Sequence, residues 1–198
     1  LELGGKSPVV ISRSADIEKS IGRIMLGTTL NAGQICLAPD YLMVPEEKLH
    51  EIIAAAQKAV AQMYPKVLAN PQYTSVINER HFQRLNGYLA EATARGQEII
   101  PINPASEDFS MQKGTLKIPV TLIPKPADDL KMMEEELFGP LLPIRTYSKF
   151  EETISYINSK PRPLAAYYFG EDKQEEDALI SRTTSGGFCV NDVIMHVS

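Results

Sequence analysis

Apolar residues along the chain come in two recurring patterns, short unbroken runs and runs spaced by three or four, and the two alternate. The strand-like apolar runs at 8–12 (PVVIS), 41–44 (YLMV), 141–147 (LLPIRTY), 164–169 (LAAYYF) and 187–191 (GFCVN) predict strands. Between them, Ile17, Ile21, Ile24 and Met25 share one helical face behind Asp16, an N-cap residue whose side chain can accept from the first turn. Leu49, Ile52, Ile53, Ala56, Val60 and Met63 predict a helix over 46–64, and Phe82, Leu85, Leu89 and Ala92 another over 78–96. Further helices are expected at 150–158 and 173–182. Prolines interrupt the runs at 98–102 (EIIPI) and 117–123 (KIPVTLI), which points to edge positions or irregular pairing.

Strand and helix in such close alternation imply crossover connections and a mainly parallel sheet covered by helices, the α/β class. Composition narrows the picture without changing it. At 198 residues, with 43% hydrophobic and 23% charged residues, the chain has the makeup of one ordinary domain with a real core. A net charge of −5 and the lack of dense Lys/Arg clusters argue against a nucleic-acid partner. No apolar run has the length of a membrane span, and no cationic leader precedes an apolar stretch. Two cysteines, without metal-ligand spacing and far from the scattered histidines, suggest a reduced, cytoplasmic setting and no metal site. The chain begins without Met in what reads as the approach to a strand and stops just past another, so a segment of a longer protein is expected.

The two cysteines occupy opposite settings. Cys189 lies inside the apolar run GFCVN, where burial raises a thiol's pKa and keeps it inert. Cys36 lies in a polar loop just past a helix, after Asn31 and Gly33. Free cysteine is most often a small core hydrophobe, but that loop is the setting of an accessible thiol, so packing and nucleophilic roles both stand on local grounds.

Three segments then matter together: LELGGKSP at 1–8, NAGQIC at 31–36 and EEELFGPLLPI at 134–144. In that order they resemble signature segments of the aldehyde dehydrogenase family. The resemblance spans nearly the whole chain and implies the family's catalytic domain over 1–198, a three-layer, mainly parallel sheet flanked by helices. A cofactor-binding domain normally precedes it, and the family's C-terminal tail would follow. The implied chemistry makes Cys36 the nucleophile that forms a thiohemiacetal and then a thioester, with NAD or NADP as hydride acceptor.

The resemblance also distributes the supporting roles. Glu2 corresponds to the general base; on its own residues it is equally a solvent-exposed terminal acid. Glu136 resembles the acid that hydrogen-bonds the nicotinamide ribose, Phe138 packs near the nicotinamide, and Gly139-Pro140 turns the chain to present both. Glu134 and Glu135 read as solvated acids. The backbone N–H of Cys36 would be one oxyanion donor, the family's second donor being an Asn that precedes residue 1. Gly33 supports the cysteine loop; Asn191 either hydrogen-bonds that loop or is an ordinary strand-end residue. Lys6 reads as a surface charge. CLAPDY at 36–41 and His196 are similar to the homodimeric branch that acts on medium-chain and aromatic aldehydes and includes coniferyl aldehyde dehydrogenases. Transfer of the acyl group to coenzyme A, or a silent scaffold of the same fold, are the competing functions; an intact LELGGK favours water as acceptor, and a scaffold has no reason to keep Cys36, Glu2 and Glu136 together.

Overall fold

The apolar runs form strands β1 (Pro8–Ile11), β2 (Tyr41–Pro45), β3 (Ile100–Pro101), β4 (Thr121–Pro124), β5 (Leu141–Tyr147), β6 (Ala165–Phe169) and β7 (Gly187–Val190). The structure, a computed structural model, describes residues 5–112 and 114–195. Glu2 and His196 therefore lie outside the described residues. Among those described, the strands make one sheet in the order β3-β4-β5-β2-β1-β6-β7. Every neighbouring pair is parallel except β3 with β4. Strands β1, β2, β4 and β6 are buried along their whole length, which is why they read as unbroken apolar runs and not as alternating ones.

Helices cover both faces, giving three layers. Against one face, Val9, Ile11, Leu42 and Val44 pack on Ile17, Ile21 and Ile24 of α1 (Ile17–Thr29) and on Ile52, Ala56 and Val60 of α2 (Leu49–Met63). Against the other, Val10, Met43 and Tyr168 pack on α5 (Glu151–Asn158) and α6 (Lys173–Arg182), while Ile123 and Leu141 pack on α3 (Glu79–Ala94). The one-turn helix α4 (Lys131–Glu134) adds Met132 and Met133 to that second face. The caps fall where short polar side chains stand. Asp16 accepts from Lys19 N–H at 3.2 Å, and Asn78 accepts from His81 N–H at 3.0 Å.

Two expectations need correction. The segment 46–64 is not one helix: Glu46–Lys48 form a 3₁₀ turn after Pro45, and α2 starts at Leu49. Of the proline-interrupted runs, only β3 is at an edge. The strand β4 is interior, flanked by β3 and β5, because Pro119 falls ahead of the strand and Pro124 closes it, so neither proline sits between its first and last residues.

Candidate active site

The cysteine loop begins where α1 stops. Leu30 caps the helix with an extended ψ of 121°, and the next three residues take left-handed backbone: Asn31 at φ 50°, Ala32 at 53° and Gly33 at 70°. For a buried alanine that conformation costs roughly 1–2 kcal/mol, so the surroundings must hold it in place. Asn31 and Gln34 do so by exchanging bonds across the turn, Asn31 Nδ2 donating to Gln34 O at 3.1 Å and Gln34 Nε2 to Asn31 O at 3.0 Å. The Gln34 amide also reaches outward, donating to Ser75 O at 3.0 Å and accepting from Ile77 N–H at 2.8 Å. A second turn follows, closed by Ala38 N–H on Ile35 O at 2.9 Å, and exposed Cys36 sits at its tip. Just past the tip, the buried Tyr167 hydroxyl donates to Leu37 O at 2.6 Å.

Gly33 brings this loop against the second functional segment. A Cβ at Gly33 would stand 2.5 Å from Gly139 O, so only glycine permits the approach. Immediately before Gly139, Phe138 takes φ 47° and is 39% exposed. Glu136 is half-buried. Burial pushes its carboxyl above the usual carboxylate range, opposed by a hydrogen bond from Gly5 N–H. A half-buried acceptor beside an exposed aromatic ring fits the ribose hydroxyls and flat ring of a nicotinamide nucleotide.

Charged side chains from distant parts of the sequence fix that segment. The Lys6 ammonium pairs with Asp40 and donates to Met132 O at 2.7 Å and Glu135 O at 2.9 Å. Asp40 Oδ2 accepts from Leu137 N–H at 2.9 Å. Arg84 donates to Leu137 O at 2.6 Å and to Glu136 O at 3.2 Å. Lys6 is thus a buried structural cation, not the surface charge that its sequence context suggests. Burial pushes the Asp40 carboxyl up, while Lys6 and the Leu137 N–H pull it the other way.

The structure therefore sets the loop bearing Gly33 and Cys36 against the segment bearing Glu136 and Phe138 and leaves Asn191 apart. Asn191 does not bond the cysteine loop. It takes a left-handed turn at φ 56° and closes on Gly170, accepting from its N–H at 2.9 Å and donating to its carbonyl at 3.1 Å. Tyr167 makes the tie to the loop instead. Cys189 is partly buried in β7, and desolvation raises its thiol pKa. Gln34, Asp40, Lys6, Arg84 and Tyr167 escaped sequence reasoning as supporting residues. Asp40 carried a signal, an acid placed directly before an apolar strand. Arg84 carried none, since an arginine on an amphipathic helix is ordinarily solvated. Among the described residues, no group of His, Cys, Asp and Glu could hold a metal ion, and no helix is long and apolar enough to cross a membrane.

Comparison with known proteins bears on the same segments. The family profile described as the aldehyde dehydrogenase family matches residues 1–198. Coniferyl aldehyde dehydrogenase of a Pseudomonas species is 53% identical over 197 residues, covering 100% of this chain and 41% of the relative. A probable coniferyl aldehyde dehydrogenase of Caulobacter vibrioides is 52% identical over 198 residues, with the same coverages. Among solved structures, the substrate-bound AldH of Staphylococcus aureus superposes with a TM-score of 0.90 at 34% identity, covering 100% of this chain and 41% of that one. Two others were solved with nucleotides. The Staphylococcus aureus betaine aldehyde dehydrogenase with NAD+ has TM-score 0.85, 26% identity and coverages of 98% and 40%. The Bacillus halodurans glyceraldehyde-3-phosphate dehydrogenase with NADP has TM-score 0.84, 25% identity and coverages of 99% and 40%. The chain spans 41% of the length of the two coniferyl aldehyde dehydrogenases.

Proposed function

This chain belongs to the aldehyde dehydrogenase family, and from that premise we propose that the protein carrying it oxidises an aldehyde of the coniferyl, aromatic type to its carboxylic acid with NAD or NADP. The observation that carries the reading is the contact of Gly33 with Gly139, which sets the loop bearing exposed Cys36 against the segment bearing Glu136 and Phe138. The substrate class rests on the 52% and 53% identity to coniferyl aldehyde dehydrogenases. On this reading residues 1–198 are the catalytic domain of a homodimeric, cytoplasmic enzyme.

The steps follow from the residues. The Cys36 thiolate adds to the aldehyde carbon, and the backbone N–H at the turn stabilises the oxygen as it becomes anionic. Glu136 would accept hydrogen bonds from the ribose hydroxyls of a bound nucleotide and Phe138 would pack on its nicotinamide end, roles that would hold the hydride acceptor toward Cys36. A nicotinamide nucleotide, when bound, supplies the hydride acceptor. The acyl group is then a thioester on Cys36. Glu2, proposed from LELGGK alone, takes the proton from the water that cleaves it.

Turnover of coniferyl aldehyde by the complete polypeptide, followed as reduced cofactor, tests the proposal. Cys36→Ser should abolish it, and added coenzyme A should leave the rate unchanged. A coenzyme A requirement would transfer the assignment to the acylating reaction.

A further inference from the structure

The three segments that bear the proposed chemistry meet at one buried ion pair. Lys6 follows Glu2 by four positions, Asp40 follows Cys36 by four, and Leu137 follows Glu136 by one. The side chains of Lys6 and Asp40 are only 8% and 5% exposed. An ammonium has three protons to place, and Lys6 has three acceptors, the Asp40 carboxylate, Met132 O and Glu135 O. Asp40 uses its second oxygen on Leu137 N–H, and its own N–H donates to Ser7 O at 3.0 Å. The entry of β1 at Lys6 and Ser7, the exit of the cysteine loop at Asp40 and the backbone around Glu136 are thus joined by bonds through two side chains.

Resting on the roles proposed above for Cys36 and Glu136, we infer that Lys6 and Asp40 are positioning residues that hold the nucleophile loop and the cofactor-facing segment in one fixed geometry. The alternative, a pair that only stabilises the fold, fits the bonding less well. A buried ion pair is weak in net stability, because the desolvation of both charges offsets their attraction. This pair spends its remaining bonding capacity on backbone groups at 132, 135 and 137, directly around Glu136. With Arg84 holding the Glu136 and Leu137 carbonyls, Leu137 has both its N–H and its C=O bound to charged side chains. That pinning fixes the chain just before it enters the left-handed conformation of Phe138. Neither Lys6 nor Asp40 needs to touch substrate for this role.

Single substitutions leave one charge buried and unpaired, so the decisive variant removes both. Lys6→Met with Asp40→Leu keeps apolar side chains of similar reach and branching and eliminates the desolvation cost of both charges, but leaves Leu137 N–H without its acceptor; it is expected to fold, with a Tm modestly below that of the parent. In the complete polypeptide its kcat should fall about ten- to a hundredfold, the order associated with displacing a reacting group by roughly 1 Å. KM for the nucleotide should change far less. Asp40→Asn keeps an acceptor for Leu137 N–H and should lose less kcat than the double variant. Independently of turnover, the double variant should alter the iodoacetamide alkylation rate of Cys36 and speed hydrogen exchange at the Leu137 amide. A folded double variant with parental kcat and parental Cys36 alkylation overturns the inference. Should the double variant not fold, the same two readouts on Asp40→Asn and Lys6→Arg decide it, parental values in both again overturning it. If the parent itself oxidises no aldehyde, the proposed function fails, and the positioning role is judged by alkylation and exchange alone.

Discussion

A methyl group at Gly33 would collide with the Gly139 carbonyl at 2.5 Å, on a backbone at φ +70° that side chains rarely adopt. Gly33→Ala should therefore cost about 1–3 kcal/mol in stability and a larger factor in turnover, because relief of the clash moves the Cys36 loop off Glu136 and Phe138. Thermal unfolding beside kcat checks this; a loss of stability with parental kcat would contradict it. Glu136 gives a prediction of opposite sign for stability and function. Burial raises its folded-state pKa, so as pH climbs from the ordinary carboxylate value through the raised one, the unfolded chain releases a proton that the folded chain keeps. Stability falls across that window, and above it the buried charge is a constant cost. Glu136→Gln should raise Tm at about pH 8 but not below about pH 4, while weakening the nucleotide KM. Both residues stand in segments legible from sequence. The contact that joins those segments, Gly33 against Gly139, was not legible, because no periodicity tells which loops meet across a sheet.

At the scale of elements, the long connection between α2 and α3 owes its shape to two charges outside any motif. Glu107 accepts from Val67, Leu68 and Ala69 N–H at 2.6, 2.9 and 2.9 Å, and Lys117 donates to Val67, Leu68 and Asn70 O at 3.2, 3.1 and 2.6 Å. The same connection ends at Ser75 and Ile77, where Gln34 grips it. For Glu107, burial acts to raise the pKa, but the three backbone donors outweigh it and the net shift is downward. Its contribution is thus present above the ordinary carboxylate pKa and lost as pH falls through the depressed value. Acidification should release the Val67, Leu68 and Ala69 amides to hydrogen exchange before the sheet, and Glu107→Gln should release them at neutral pH. Uniform protection down to global unfolding would contradict this. The helix 173–182 was legible to the residue because its cap is local, Asp172 accepting from the Gln174 and Glu175 N–H groups. The two-residue strand β3 was legible only as an apolar run, and this loop not at all, since side chain to backbone bonds over some 40 positions leave no periodic trace.

For the whole molecule, the layered α/β architecture followed from strand runs that are apolar on both sides, yet the order of strands in the sheet did not. Several apolar side chains remain exposed, among them Leu30, Ile77, Phe138 and Met195. Leu30 and Phe138 flank the proposed site and leave an apolar surface beside it. The chain spans 41% of the length of the coniferyl aldehyde dehydrogenases, and on the domain assignment proposed above residues 1–198 alone should fold, because both faces of the sheet are covered, but should neither bind NAD tightly nor turn over aldehyde. Calorimetric titration of that polypeptide checks it, and micromolar affinity for the nucleotide would contradict it. The central claim is that Cys36 carries the acyl group, and it is tested most directly by peptide mass mapping. The complete polypeptide is mixed with coniferyl aldehyde and NAD or NADP and quenched in acid within one turnover. The account predicts a hydroxylamine-labile acyl adduct on the peptide containing Cys36, enriched by Glu2→Gln and absent from Cys36→Ser. An adduct on Cys189, or undiminished aldehyde oxidation by Cys36→Ser, would contradict it.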